Sequence, residues 1–115
     1  MGQPARKLLR IYTDEAAYIG DRKVFEYVAS LARDRKMAGL TVLEALIGFG
    51  ASSRVHRRHV LESDRAVVIE IVDFEDTLRA FVAGLDDVPD IGLITLEAIE
   101  VIGGKASQTL ESPRK

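Results

Sequence analysis

Ala66-Val67-Val68-Ile69-Glu70-Ile71-Val72, followed at once by Asp73-Phe74-Glu75-Asp76-Thr77-Leu78-Arg79-Ala80-Phe81-Val82-Ala83-Gly84-Leu85, is the stretch on which the fold turns. In its first part Val67, Val68, Ile69, Ile71 and Val72 are β-branched. Such residues suit a pleated, half-buried surface, so 66–72 reads as a strand. Then the period changes. Phe74, Leu78, Phe81, Val82 and Leu85 follow i, i+4, i+7, i+8 spacing, which puts one apolar stripe on a helix. Asp73 stands where that helix would take its N-cap. Asp86, Asp87, Pro89 and Gly92 supply turn chemistry, and Leu93 to Ile102 reads as another strand.

The same unit stands upstream. Lys7 to Tyr12 is a short strand and Thr13 to Gly20 a turn-prone stretch. Asp21 is placed to cap a helix over 22–36, with Val24, Val28, Leu31 and Ala32 at helical spacing and Gly39 as its stop. Leu40 to Ile47 is the strand that follows. The order is β-α-β, a long connection, then β-α-β. Crossovers of this kind are right-handed and place their helices on one side of the sheet. Two such units merged edge to edge give an α+β ferredoxin-like sandwich: a four-stranded antiparallel sheet with two helices on one face. One domain over 7–102 is expected, with 1–6 and 103–115 as flexible tails.

The other sheet face is too apolar for open water. Leu43, Ala45 and Ile47 form one set of the second strand, and Val42, Glu44 and Leu46 the other. In the third strand Val67, Ile69 and Ile71 oppose Val68, Glu70 and Val72. Single carboxylates among aliphatics imply a covered face with paired charges. Arg10 is the candidate partner for Glu70, and a homo-oligomer packed through its sheets is the expectation.

With 115 residues the chain buries roughly two-thirds of its unfolded surface, enough for a core without staples. A net charge of −2 argues against nucleic acid as a partner. There is no cysteine, which excludes disulfides, thiolate catalysis and Cys-based zinc sites. Residues 1–6 lack the apolar run of a signal peptide, and no run approaches the ~18 apolar residues of a spanning helix. A cytoplasmic location follows as the expectation.

The connection over 49–65 is longer than the ~12–15 residues usual for a structureless link in a compact domain. It opens on Gly48-Phe49-Gly50-Ala51-Ser52-Ser53-Arg54-Val55-His56-Arg57-Arg58-His59, which holds both histidines and three arginines with no acidic residue. Three readings fit. Gly48 and Gly50 permit a sharp turn with exposed amides, Ser52 and Ser53 begin a helical turn, and Arg54 adds charge, together an anion site. Alternatively His56 and His59 bind a metal, although two ligands fall short of a zinc site. In the third, the segment is a solvated basic loop. Nothing positions a nucleophile or paired carboxylates, so no enzyme activity, resident metal or cofactor is expected.

Leu8-Leu9-Arg10-Ile11-Tyr12, Ala38-Gly39-Leu40-Thr41-Val42, Gly48-Phe49-Gly50-Ala51-Ser52-Ser53-Arg54-Val55-His56 and Val68-Ile69-Glu70-Ile71-Val72-Asp73 resemble the family known as domain of unknown function 190. That family is similar to the PII signalling proteins. The resemblance implies a homotrimer of ferredoxin-like subunits, small anionic ligands or nucleotides at the clefts between subunits, and a loop that signals to partner proteins. The ligand-binding residues it implies are Gly48, Phe49, Gly50, Ala51, Ser52, Ser53, Arg54 and His56. PII proteins follow Gly-Phe-Gly with Arg-Gln, where this chain has Ala51-Ser52. Their glycine-rich segment before the fourth strand is reduced here to Asp90-Ile91-Gly92-Leu93, and their arginine-rich end is replaced by Gly103-Gly104-Lys105. These departures point away from magnesium-triphosphate binding and toward a monophosphate or another small anion. The resemblance also implies a membrane-protein partner such as a fluoride exporter.

Overall fold

A computed structural model describes residues 5–45 and 65–104. The strands are β1 (Arg6–Asp14), β2 (Tyr18–Ile19), β3 (Arg22–Lys23), β4 (Leu40–Glu44), β5 (Ala66–Phe74) and β6 (Ile94–Ala98); the helices are α1 (Val24–Asp34) and α2 (Glu75–Ala83). The main sheet runs β4-β5-β1-β6 with every neighbouring pair antiparallel. The two β-α-β units therefore interleave: β5 of the second unit lies between β1 and β4 of the first, and β1 lies between β5 and β6. This is the ferredoxin-like α+β architecture expected from the sequence.

Period-2 alternation sorts the strands onto two faces. Leu9, Ile11 and Thr13 of β1 and Val67, Ile69, Ile71 and Asp73 of β5 are buried on one face. Val24, Val28 and Ala32 of α1 and Leu78 and Phe81 of α2 join them in one core. Burying aliphatic or aromatic side chains of this size contributes roughly 1.5–3 kcal/mol each. Both helices thus cover the same side of the sheet.

The uncovered face carries Leu8, Arg10 and Tyr12, with Val68, Glu70 and Val72 opposite them in register. Arg10 faces Glu70 directly, as expected. Its Nε lies 3.2 Å from Glu70 Oε2, and its Nη1 donates to Glu97 Oε1 of β6 at 2.7 Å. One guanidinium ties three strands together. Its hydrogen bonds, to Glu97 first and Glu70 second, raise the Arg10 pKa above its ordinary value.

Local signals at the helix ends are read differently by the structure. Helix α1 starts at Val24, not Arg22, because Tyr18–Lys23 forms a small hairpin, with Tyr18 opposite Lys23 and Ile19 opposite Arg22. Its two-residue loop begins at Gly20 with φ +62°, the glycine-first pattern of a type II′ turn. The first helical donor, Val24 N–H, is satisfied by Ala17 O at 2.9 Å, so Asp21 does not cap. The helix stops before Gly39: Lys36 takes the left-handed conformation (φ +60°), Lys36 N–H donates to Arg33 O, and Met37 N–H donates to Ala32 O. That is a Schellman closure built on a lysine.

Asp73 is likewise not a cap. The residue at the N-cap of α2 is Phe74, with no side-chain cap bond. Buried Asp73 instead accepts Phe74 N–H on Oδ1 (2.8 Å) and Ala38 N–H on Oδ2 (3.1 Å). It thereby ties the α1–β4 turn to the end of β5. The expected strands over 40–47 and 93–102 are shorter among the described residues, at Leu40–Glu44 and Ile94–Ala98.

Candidate functional site

The expected ligand residues Gly48, Phe49, Gly50, Ala51, Ser52, Ser53, Arg54 and His56, and His59 beside them, lie outside the described residues. Both roots of that connection are described, and both meet at one end of the sheet. Ala45 N–H donates to Ala66 O at 2.9 Å, and Arg65 Nη1 lies 3.7 Å from Glu44 Oε1. Arg65 O in turn accepts Glu15 N–H at 2.8 Å. The departing and returning chain are thereby clamped to each other and to the end of β1.

A third segment reaches the same end. Gly92 N–H donates to Tyr12 O (2.8 Å), and Tyr12 N–H donates to Leu93 O (2.9 Å). Thr13 Oγ1 donates to Asp90 O at 2.8 Å, and Asp90 sits at φ +59°. An aspartate tolerates this left-handed region better than a bulky residue does, which helps keep the turn before β6 against β1. The end of β1, both roots of the long connection and the turn before β6 therefore form one rim.

The rim is rich in carboxylates. Asp14 is buried at the end of β1, Glu15 pairs with Lys23 (3.7 Å), Glu44 faces Arg65, and Asp90 closes the turn. An anion settling here meets Arg65 already opposed by Glu44. Further positive charge would have to come from Arg54, Arg57 and Arg58 or from another chain, since like charges repel an anionic ligand. Among the described residues no group of three or more His, Asp or Glu side chains is placed to hold a metal ion.

Sequence reasoning located the connection and missed its frame. Thr13, Glu15, Arg65 and Asp90 come together through hydrogen bonds to backbone groups far away in sequence, and no local pattern marks such partners. Arg65, at the last position of the expected loop, was the one residue with a usable signal: a cation just before a strand that opposes Glu44.

Fold and rim define a class: a ferredoxin-like α+β domain whose longest connection springs from the end of its two central strands and the neighbouring edge strand. The chain belongs to DUF190, a family described as uncharacterized ACR, whose model matches residues 6–101. It is 35% identical over 99 residues to the UPF0166 protein of Aquifex aeolicus (strain VF5), covering 84% of this chain and 93% of that one. Its fold is similar to CPII from Thiomonas intermedia K12, solved bound to ADP, AMP and acetate, with a TM-score of 0.62 and 20% identity over 87% of this chain and 91% of that one. The fold is thus PII-like. No helix among the described residues is long and apolar enough to cross a membrane.

Proposed function

We propose that this protein is a homotrimeric PII-like regulator that binds a small anionic ligand, an adenine nucleotide of the AMP or ADP kind, at clefts between subunits. Residues 49–65 transmit the bound state. The observation that carries the reading is the rim: a connection with three uncompensated arginines is rooted among carboxylates, beside the turn before β6, in a fold whose neighbour CPII was solved with ADP, AMP and acetate. In this reading Arg54 contacts the phosphate, Gly48 and Gly50 supply the turn, and Ser52 or Ser53 donates to the anion. A ligand that favours one arrangement of the loop over another shifts its population, which is all that a switch requires.

The apolar open face, with Arg10 centred between Glu70 and Glu97, supports association of subunits through their sheets. Calorimetric titration of AMP and ADP into the wild type and into Arg54→Ala tests the site. A charge-assisted hydrogen bond contributes about 1.5–3 kcal/mol, so loss of Arg54 should weaken binding roughly 10- to 100-fold. Equal affinity in the two proteins removes Arg54 from the site.

A further inference from the structure

Two parts of the subunit carry strand chemistry that it leaves unused. β4 is an edge strand, bonded only to β5, and its large apolar residues stand open on both faces: Val42 is 37% exposed on the helix side and Leu43 45% on the other. Exposed apolar edges of this kind are normally paired or blunted by charge. Beyond β6, Ile99-Glu100-Val101-Ile102 continues a strand-type sequence, yet it belongs to no strand or helix, and Ile102 is 88% exposed.

These parts belong together chemically but cannot meet within one subunit. β5 and β1 lie between β4 and β6, so the two edges are separated by three strand spacings, about 14 Å at ~4.8 Å each. Four residues span at most ~14 Å when fully extended, leaving nothing to lie along β4. The free edge of β6 is a poorer acceptor. It presents Thr95 and the exposed Glu97 on the open face, while Ile94 and Leu96 already pack against the core.

We propose that residues 99–102 of one copy add as a strand to the free edge of β4 in a second copy. Backbone bonds would supply the affinity, and alternate apolar side chains would meet Val42 on one face and Leu43 on the other. The two surfaces differ, so the contact is heterologous and closes either as a ring or as a reciprocal pair. The inference rests on the trimeric reading, which requires the ring, and adds to it the contact that builds it. It also has a consequence for signalling. β4 runs directly into Ala45 and the root clamped to Ala66, so a neighbour's strand braces that root from outside.

The chain has no cysteine, which makes engineered disulfides unambiguous. Full-length chains carrying Cys at Thr41, Val42 or Leu43, one at a time, are mixed with a Val101→Cys chain and oxidised. The three positions cover neighbouring registers. At least one pairing should cross-link most chains, and a Thr95→Cys chain mixed with Val101→Cys should cross-link few. Independently, Val42→Lys should raise the concentration at which the assembly half-dissociates at least tenfold, with an unchanged far-ultraviolet spectrum. An intact trimer that fails to cross-link through β4, or cross-links through Thr95, overturns the edge contact and leaves the trimeric reading standing. A folded protein that light scattering finds monomeric overturns both.

Discussion

Replacing Asp73 separates a local role for this carboxylate from a tertiary one. The side chain is 3% exposed and accepts two backbone N–H groups, Phe74 at 2.8 Å and Ala38 at 3.1 Å, from different parts of the chain. Asp73→Ala leaves both donors unpaired. A buried donor without a partner costs about 1–3 kcal/mol, and Phe74, only half-buried, is the easier of the two for water to reach. The expected loss is therefore about 2–4 kcal/mol, a large share of the ~5–15 kcal/mol typical of a domain. Asp73→Ser decides the mechanism. As a helix cap, serine equals aspartate to within a few tenths of a kcal/mol. As a bridge it fails, because one short hydroxyl cannot span both donors, and a loss of at least ~1.5 kcal/mol is expected. Urea unfolding followed by circular dichroism, at one fixed chain concentration, measures the difference with an unchanged m-value. A serine variant within ~0.5 kcal/mol of wild type would refute the bridging role.

Three further outcomes follow from the core, the helix ends and the surface pairs. Leu78→Ala, at a fully buried position of α2, should cost about 2–5 kcal/mol in the same assay. Lys36→Gly should stabilise by roughly 0.5–1 kcal/mol, because relief from the left-handed conformation (φ +60°) outweighs the entropy that glycine adds to the unfolded chain. The hydrogen bond from Arg79, aided by its charge and that of Lys7, holds the Glu75 carboxyl below its ordinary pKa. Its contribution to stability is complete above the unfolded carboxylate value and is lost as pH falls through the lower folded value. Carbon-detected NMR should place the Glu75 midpoint below that of an ordinary glutamate, and Arg79→Gln should move it up; a midpoint indifferent to that change contradicts the pairing.

Much of the fold was legible because burial imposes strict periods. β5 alternates without interruption from Val67 to Asp73, and α1 and α2 bury the apolar positions that their spacing marks. The Arg10–Glu70 pair was legible for the same reason: a lone charge on an apolar strand face needs a partner on the next strand. Helix ends were less legible. Asp21 and Asp73 both look like caps, yet a hairpin and a tertiary bridge satisfy the donors nearby, and Lys36 closes α1 where glycine would be the usual choice. Interleaving of the two units depends on pairings between residues some 60 to 90 positions apart, such as Arg10 with Glu70 and with Glu97. A single chain's local pattern carries no record of these. The glycine- and arginine-rich run stood out by composition, whereas its acidic frame is assembled only by the fold.

Native mass spectrometry of the full-length protein with AMP or ADP tests assembly and ligand together. Three chains retaining up to three nucleotides, with retention sharply reduced in Arg54→Ala, is the predicted result. A single chain, or a trimer that retains neither nucleotide, contradicts the account.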